Sequence, residues 1–462
     1  MAPLDQALVG LFLGLTLFLG LRRGTGAGGT SDYLLAGRRL TLPAFVATTV
    51  SSWYGGILGV GEYSFRYGLS NWLVFGVPYY VGAALFAIFL ARRARRGEST
   101  TLPERVRAVF GPWAGAVAAV VILVTTLPAA YLLTLGVLAK LSFGWSLPVS
   151  VCGAAVFSVV YLWRGGFAAV VRTDKLQIAL MYGGFALLLA VLVGGHGVRL
   201  LWEEVPASHW TWSGGRPLQA VVVWYFIALS SLVEPAFFQR AYAAATPKVA
   251  QRGLLLSILC WMVFDAMTTT CGFYARALMP DLAVGQAVEA FPRLALLVLP
   301  VGLAGIFFAA LFATVMSTVD SYLFIVATTL GRDLWGARQG VAGREAILQR
   351  STRVGLVLGA AASAALALWS GSVVKIWHAF GSVGAAALLV PVLAVYYPRL
   401  RVAGGVAAWS MGASIATTLA WLWSGKVGGG YWWGVEPIYV GLGVSVLVWA
   451  VGRGLVGRPE EA

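Results

Sequence analysis

The sequence predicts an all-α integral membrane protein with about thirteen transmembrane helices. Composition supports this class, because 59% of the 462 residues are hydrophobic and only 11% are charged, whereas an ordinary soluble domain carries about 25% charged residues. Length supports it too, since a helix needs roughly 20 apolar residues to cross a hydrocarbon core of about 30 Å. Stretches of that kind lie at 5–22, 41–66, 72–91, 113–141, 146–163, 173–196, 217–238, 253–277, 297–330, 354–371, 374–396, 403–423 and 436–452.

The first stretch, 5–22, is predicted to be a retained helix whose N-terminus lies outside. Asp5 begins it and Arg22 and Arg23 end it, the reverse of a secretory signal, which starts with positive charge. With the N-terminus outside and thirteen crossings, the loops assigned to the inner side hold 25 of the 33 Lys and Arg residues, and those assigned to the outer side hold 8. Because short cytoplasmic loops collect Lys and Arg, we expect a cytoplasmic C-terminus in the plasma (inner) membrane. The net charge of +15 then indicates orientation rather than nucleic-acid binding.

The scattered cysteines and histidines argue against an enzyme. The sequence has three of each, and their spacing predicts neither a metal cluster nor a nucleophile–base set. The longest loops, 197–216 and 331–353, are long enough for short surface helices only. We therefore expect a function performed within the bilayer, with no catalytic residues.

The polar stretch "ATVMSTVDS", residues 313–321, interrupts an apolar run and predicts an ion-binding face. Its hydroxyl residues recur at the spacing of one helix face, and Asp320 falls on the same side. Hydroxyls alone could bond to their own helix or to neighbouring helices. An ionisable group in the bilayer costs about 2.5–3.5 kcal/mol and usually marks a pathway or a partner. Asp320 therefore favours a polar, ion-binding cavity.

Glycines crowd the second span, "ATTVSSWYGGILGVGEYSF" at 47–65. Their density permits either close packing of helices or unwinding of this helix at mid-membrane, which would expose carbonyl oxygens. Such carbonyls and the hydroxyls of 313–321 would suit a hard monovalent cation, which prefers oxygen ligands. The sequence thus supplies the atoms of a cation site, and the fold decides whether they meet.

Five segments, in the same order and across nearly the whole chain, resemble those of the sodium:solute symporter family. They are "SDYLLAGRRL", "RYGLSNW", "GGFAAVVRTDKLQ", "EPAFFQRAYAAATP" and "ATVMSTVDSYLFIVATTLGRDLW". The resemblance implies a LeuT-type fold in a single transmembrane domain, 1–462, with two five-helix repeats of inverted topology. The repeats would span 41–196 and 217–396, after an extra N-terminal helix and loop in 1–40 and before two C-terminal helices in 403–452.

The resemblance also implies a main sodium site. Its ligands would be the backbone carbonyls of Thr49, Ser52 and Thr314 and the hydroxyls of Ser317 and Thr318. Relatives usually carry alanine where Thr314 stands, a change that a carbonyl ligand tolerates. Because neutral oxygens do not titrate near pH 7, sodium rather than a proton is the expected coupling ion.

A second cation site is implied with less support. In some relatives an aspartate matching Asp174 holds a second sodium with serines that match Ser317, position 320 and Ser321. Those relatives have serine where this chain has Asp320. Two carboxylates could still hold an ion or share a proton. The alternative is that Asp174 forms a surface pair with the neighbouring Arg172 or Lys175.

The expected solute lies at mid-membrane, beside the unwound segment. The candidate lining residues implied by the resemblance are Trp53, Tyr54, Gly56, Trp224, Ile227, Ser230 and Trp377. Sugar-transporting relatives carry glutamine at Gly56, and asparagine and tyrosine at Ile227 and Ser230. A hexose would therefore lose hydrogen bonds here. Amino acids, monocarboxylates and quaternary amines remain candidate solutes. Quaternary amines are included because aromatic faces attract cations.

Three further carboxylates lie in or near the spans. Helical spacing predicts that Glu62 pairs with Arg66, and Glu234 is expected to pair with the nearby Arg240. Asp265 has no obvious local partner.

The predicted function is that of a sodium-coupled secondary active symporter that imports a small organic solute by alternating access. The alternatives are a proton-coupled transporter and a passive, channel-like protein of the same fold. The expected partners are the solute, sodium and the lipid bilayer, with no nucleic acid and no obligatory protein partner.

Overall fold

The protein is helical along the chain in a computed structural model that describes residues 1–22, 30–97, 99–336, 345–427 and 429–456. Short 3-10 and π-helical turns join the α-helices, and the described residues contain a single isolated β-bridge, between Leu40 and Ala244. The α-helices are α1 (Pro3–Leu21), α2 (Thr30–Leu35), α3 (Leu42–Ser51), α4 (Ile57–Tyr67), α5 (Val77–Phe86), α6 (Arg92–Arg96), α7 (Leu102–Thr125), α8 (Ala129–Phe143), α9 (Leu147–His196), α10 (Arg199–Glu204), α11 (Leu218–Ile227), α12 (Pro235–Ala243), α13 (Pro247–Leu278), α14 (Ala290–Val298), α15 (Leu303–Thr328), α16 (Glu345–Ser370), α17 (Val373–Tyr396), α18 (Gly404–Val427) and α19 (Pro437–Val456).

Eleven helical segments of the described chain are long and apolar enough to cross a membrane. The predicted span 41–66 is a pair of short helices, α3 and α4, of 10 and 11 residues. The predicted spans 146–163 and 173–196 are joined in α9, whose 50 residues bend at Gly166, where φ is 53°. A straight helix of that length would measure about 75 Å, more than twice the hydrocarbon core. The count of thirteen stays a prediction, and it depends on how these two places are counted.

Two spans that the sequence predicts as uninterrupted helices are broken. The predicted span 113–141 is the end of α7 and most of α8, separated at 126–128, where Pro128 is the N-cap of α8. The predicted span 217–238 runs through α11, a 3-10 turn at Ala228–Val233 and the start of α12. In both cases a proline begins the next helix, because its missing N–H is tolerated only in the first turn.

Helix α15 lies at the centre of the bundle. It packs against α9, α1, α16 and α8, and its residues are buried on the polar side and on the apolar side alike. Its N-terminus is capped from a distance by Asp5 of α1, whose carboxylate accepts from the backbone N–H groups of Gly302 and Gly305 at 2.7 and 2.9 Å. The predicted polar face is thus turned toward protein and not toward lipid.

The outermost helices carry apolar side chains on their free faces. Trp409 of α18 is 75% exposed and Leu455 of α19 is 82% exposed. Contiguous exposed apolar side chains of this kind mark contact with a membrane or with another protein. Their position agrees with a protein that crosses a membrane many times.

The connection between α9 and α11 folds back over the end of α4. His209, in the 3-10 turn Ala207–Trp210, is buried and donates from Nε2 to the carbonyl of Phe65 at 3.0 Å. Its own carbonyl accepts from Leu69 N at 2.8 Å. Burial lowers the pKa of His209, while the hydrogen bond to Phe65 acts in the opposite direction and Arg276 adds a smaller lowering effect.

Candidate functional site

The backbone leaves the helical conformation between α3 and α4, so the predicted break in this span is present. At the end of α3, Trp53 N donates to Val50 O at 3.3 Å, and Ile57 N then donates to Tyr54 O at 3.0 Å. The last carbonyls of a helix have no donor in the next turn. The carbonyls of Thr49 and Ser52 belong to this end of α3.

The glycines of the break permit close approach by other helices. A Cβ on Gly55 would lie 2.6 Å from the Cβ of Thr318. A Cβ on Gly56 would lie only 1.6 Å from a ring carbon of Trp377. Close packing and unwinding, which the sequence offered as alternatives, therefore occur together here.

Helices α3 and α15 meet at the residues predicted for the main sodium site. The hydroxyl of Ser317 donates to Ser51 O at 2.5 Å and lies 3.1 Å from Thr314 O. Thr314 itself donates its hydroxyl to Ala310 O at 2.7 Å. All five predicted ligands, Thr49, Ser52, Thr314, Ser317 and Thr318, are buried.

Three buried hydroxyl oxygens at this junction, those of Thr49, Ser51 and Thr318, have no hydrogen-bond partner among the described residues. Within the described part of the chain, the hydroxyl of Thr318 makes no hydrogen bond. A buried polar atom without a hydrogen-bond partner is costly, which is a reason to expect that a ligand binds there. The neighbouring donor set of carbonyl and hydroxyl oxygens fits a hard monovalent cation.

A buried arginine, Arg240 of α12, stands beside this junction. Its guanidinium is 1% exposed, and Nη2 donates to the hydroxyls of Ser52 and Ser321, each at 2.8 Å. The same nitrogen donates to the hydroxyl of Thr48 at 3.1 Å, while Nε donates to the carbonyl of Thr48 at 3.2 Å. The sequence analysis did not place this cation in the site, although an arginine within the apolar run "AFFQRAYAAA" was a signal for it.

The expected pairing of Glu234 with Arg240 is wrong, whereas that of Glu62 with Arg66 is confirmed. Glu234 caps α12, where its carboxylate accepts from Ala236 N at 3.1 Å. Glu62 and Arg66 form an ion pair at 3.1 Å. The difference arises because Glu234 lies just outside the helix that carries Arg240, so helical spacing does not apply to this pair.

The two carboxylates predicted for a second cation are both buried. Asp174 accepts a hydrogen bond from the hydroxyl of Thr48, so it is not the surface residue of the alternative prediction. Arg172 instead donates to the carbonyls of Leu19, Gly20 and Arg22. Asp320 accepts from the hydroxyl of Tyr161.

Both aspartates keep one oxygen without a partner among the described residues. The third predicted ligand, Ser321, is already engaged, since it accepts from Arg240 and donates to Ser317 O at 2.9 Å. The residues predicted to bind a second cation therefore lie beside the fixed positive charge of Arg240. Sequence spacing did not predict this neighbour.

A cavity of about 160 Å³ adjoins the break between α3 and α4. Its wall also takes in the break between α7 and α8, the 3-10 turn Ala228–Val233 and one side of α17. Five of the seven residues predicted to contact solute line it, namely Trp53, Tyr54, Gly56, Ser230 and Trp377.

Trp224 and Ile227 are not among the residues that line this cavity, so their contact with solute stays a prediction. Both lie in a separate apolar cluster with Tyr63, Val74 and Ala385. The prediction took these positions from the family resemblance, which does not report the local backbone of this chain. The backbone tightens into a 3-10 helix from Ala228 onward, and a change to three residues per turn alters which side chains share a face.

Two carboxylate side chains from different segments of the chain line the cavity. Asp265 of α13 lines it, and one of its oxygens accepts from the hydroxyl of Tyr80, which in turn accepts from Trp72 Nε1 at 3.0 Å. Glu234 lines it from the start of α12. Asp265 thus has a partner, but one that is 185 residues away in the sequence.

The chain is similar to known transporters over most of its length. A family model described as the sodium:solute symporter family matches residues 33–414. The sodium/proline symporter of Escherichia coli is 27% identical over 428 residues, which cover 86% of this chain and 83% of that protein. The osmoregulated proline transporter of Bacillus subtilis is 24% identical, with 94% and 91% covered. The sodium/pantothenate symporter of Haemophilus influenzae is 28% identical, but the match covers only 55% of this chain and 54% of that protein.

Two solved structures resemble the whole chain. A substrate-bound, outward-open Na⁺-coupled sialic acid symporter superposes with a TM-score of 0.83 at 15% identity and covers 100% of both chains. A nucleobase-cation-symport-1 family transporter, closed with bromovinylhydantoin bound, gives a TM-score of 0.57 at 12% identity, with 95% of this chain and 98% of that chain covered. At such identities the likeness concerns the fold, and it confirms the predicted LeuT-type architecture.

Proposed function

The chain belongs to the sodium:solute symporter family, and on that premise we propose that it is a sodium-coupled secondary active symporter that imports a small organic solute by alternating access. The ion would bind between the carbonyls of Thr49, Ser52 and Thr314 and the hydroxyls of Ser317 and Thr318. The observation that carries this proposal is the hydrogen bond from Ser317 of α15 to Ser51 O at the helix break, beside the unpartnered hydroxyl of Thr318.

Coupling would follow from the short segment 52–56. Ser52 belongs to the proposed ion site, while Trp53, Tyr54 and Gly56 line the cavity. An ion that fixes this segment to α15 would also fix the cavity wall, so sodium and solute would each strengthen binding of the other by the same factor. The shared segment is thus a physical reason for symport.

The energetics suffice with one sodium per cycle. Moving one charge down a potential of 100 mV is worth about 2.3 kcal/mol, and a tenfold sodium gradient adds about 1.4 kcal/mol. Together, about 3.7 kcal/mol supports roughly 500-fold accumulation of solute.

Arg240 favours the single ion over a second cation at Asp174, Asp320 and Ser321. Its Nη2 lies 2.8 Å from the hydroxyl oxygen of Ser321. A cation bound to that oxygen would stand within about 5 Å of the guanidinium, where two like charges repel by about 3 kcal/mol at an effective dielectric of 20. The positive charge of Arg240 thus stands where the charge of a second ion would otherwise lie.

Flux in proteoliposomes tests the proposal against both alternatives. We expect an inward sodium gradient, but not a potassium gradient, to concentrate one member of a panel of amines, amino acids and carboxylates above its outside level. Equilibration without accumulation would indicate a channel-like protein. Accumulation that follows a pH gradient with no need for sodium would indicate proton coupling through the buried aspartates.

We further propose that the protein resides in the plasma (inner) membrane with its N-terminus outside. The distribution of Lys and Arg over the loops supports this orientation. Inverted repeats over 41–196 and 217–396 would then begin on opposite sides of the membrane.

A further inference from the structure

The cavity beside the helix break is small. Its volume of about 160 Å³ is similar to that of an engineered apolar cavity of about 150 Å³ that binds one benzene molecule. A solute held here is accordingly compact, with only a few polar groups to satisfy.

The charged side chains that line the cavity are acidic. Asp265 and Glu234 are part of its wall, whereas no lysine or arginine is found among the described lining residues. The nearest guanidinium, that of Arg240, is committed to Thr48, Ser52 and Ser321, which are not lining residues. The described wall of this cavity therefore holds carboxyl groups and no basic side chain.

Neither carboxylate is fixed in an ion pair, although the charge of Arg240 acts on Glu234 from beyond ion-pair distance. Across the described residues, no ion pair includes Asp265 or Glu234. The hydrogen bonds from Tyr80 to Asp265 and from Ala236 N to Glu234 satisfy one oxygen each but supply no positive charge. Asp265 is buried, and a buried carboxylate without an ion-pair partner is costly, so a positively charged ligand would remove that cost.

The rest of the wall is largely aromatic. Trp53, Tyr54, Tyr79, Tyr131 and Trp377 all contribute to it. Trp53 is held in place by stacking on Trp261, with ring centroids 4.9 Å apart. Aromatic rings attract cations and cover methyl or methylene groups at the same time.

From this combination we propose that the transported solute is a small organic cation, an amine or quaternary ammonium compound whose positive group lies between Asp265 and Glu234 against the aromatic wall. This inference rests on the proposed function. A monocarboxylate of the same size would meet two like charges with no cation to offset them, so it is disfavoured. A zwitterion would gain from its ammonium group but leave its carboxylate in the same unfavourable field.

Thermal unfolding of the purified full-length protein tests the solute class. The probes are choline as the cation, proline as the zwitterion and propionate as the anion, each measured in sodium and in potassium. A ligand that binds only the folded state raises the unfolding midpoint. We expect choline to raise it most, with at least a tenfold stronger apparent affinity in sodium than in potassium.

Variants of the carboxylates locate the effect. Asp265→Asn and Glu234→Gln are expected to weaken choline binding at least tenfold each, whereas Glu62→Gln should leave it unchanged, because Glu62 is paired with Arg66 away from the lining residues. If one cavity variant does not fold, the other still tests the site. A response to sodium alone that matches the unmodified protein shows that a variant is intact.

The outcomes separate the two proposals. A sodium-dependent shift with propionate or proline and none with choline would overturn the cation inference and leave symport standing. A choline shift that is equal in sodium and potassium and is lost in both cavity variants would support the cation site while contradicting sodium coupling. A choline shift that both variants retain would overturn the assignment of the carboxylates.

Discussion

The hydroxyl of Ser317 lies 2.5 Å from the backbone carbonyl oxygen of Ser51, to which it donates. This bond joins the central helix α15 to the last residue of α3, at the point where the second span is broken. It brings a hydroxyl and the free carbonyl end of a helix to one place inside the bilayer. The proposed sodium site depends on this junction more than on any single side chain.

Removal of either proposed hydroxyl ligand should weaken sodium binding. We expect Ser317→Ala and Thr318→Ala each to remove two-thirds or more of sodium-dependent uptake, because an alanine leaves the ion with one oxygen fewer. The measurement is uptake against sodium concentration in proteoliposomes with equal amounts of protein.

Thr314→Ala is the matched control for these variants. Thr314 is proposed to contribute only its carbonyl, and its hydroxyl donates to Ala310 O within the same helix. The variant should therefore retain sodium affinity within about twofold, or about 0.4 kcal/mol, because it removes no oxygen that the ion contacts. Normal sodium affinity in both Ser317→Ala and Thr318→Ala would contradict the site.

Gly56→Ala should impair solute binding by displacing Trp377. The added methyl carbon would lie 1.6 Å from a ring carbon of that tryptophan, so the indole must move out of the cavity wall. Overpacking of this kind costs about 1–3 kcal/mol. We expect at least a tenfold rise in the KM for solute, measured by uptake at saturating sodium.

Gly59→Ala tests whether the effect belongs to the cavity. The nearest atoms to a Cβ at Gly59 are those of the same Trp377 ring and of Val373, at 3.4 to 3.5 Å, which is ordinary contact distance. This variant should transport with nearly unchanged KM. Equal impairment by both substitutions would point to a general loss of helix packing instead.

The features that sequence could predict are those with a local cause. The family is confirmed by the family match, and the membrane class and LeuT-type fold are confirmed by the apolar helices and by the solved structures that the chain resembles. The break after Ser51 was foreseeable because glycine density acts within a few residues. The polar face of α15 was foreseeable because helical periodicity relates Thr314, Ser317 and Thr318 directly.

The features that sequence missed depend on distant parts of the chain. Arg240 meets Ser52 and Ser321 only because α12 packs against the broken span, 188 and 81 residues away in sequence. The bond from Tyr80 to Asp265 joins α5 to α13 in the same way. Trp224 and Ile227 lie in α11, whereas Ser230 lies in the 3-10 turn that follows, and the change to three residues per turn alters which side chains share a face.

Acidification should destabilise the loop that covers the end of α4. Burial holds the pKa of His209 below its usual value of about 6.5, so the folded protein favours the neutral ring. Below that usual value the unfolded chain binds more protons than the folded one, and stability falls as pH falls. We expect a lower unfolding midpoint at pH 5.5 than at pH 7.5.

Two glutamine variants assign this pH effect to one histidine. His209→Gln keeps an N–H donor for the carbonyl of Phe65 but cannot titrate, so the difference in midpoint between pH 7.5 and pH 5.5 should shrink. His196→Gln, at the exposed end of α9, should leave the difference as it is in the unmodified protein. An undiminished difference in His209→Gln would show that other groups cause the pH dependence.

The hydroxyl of Thr48 links Arg240 to Asp174, so the two charged side chains should be energetically coupled. It accepts from Nη2 of Arg240 at 3.1 Å and donates to the carboxylate of Asp174. Removing one member of a buried charged pair costs about 3–5 kcal/mol, because the other charge is left uncompensated. Arg240→Met alone should therefore destabilise strongly, and the addition of Asp174→Asn should recover part of the loss.

A double-mutant cycle of unfolding free energies in detergent measures this coupling, for which we expect about 1–3 kcal/mol. Arg172→Met supplies the reference cycle, since Arg172 lies near Asp174 in sequence but, within the described residues, donates to the backbone carbonyls of Leu19, Gly20 and Arg22. Its effect should add to that of Asp174→Asn within about 0.5 kcal/mol. If the effects of Arg240→Met and Asp174→Asn were also simply additive, the charge of Arg240 would not be what neutralises Asp174. The carboxylate would then be available to a second cation, and the argument for one sodium per cycle would fail.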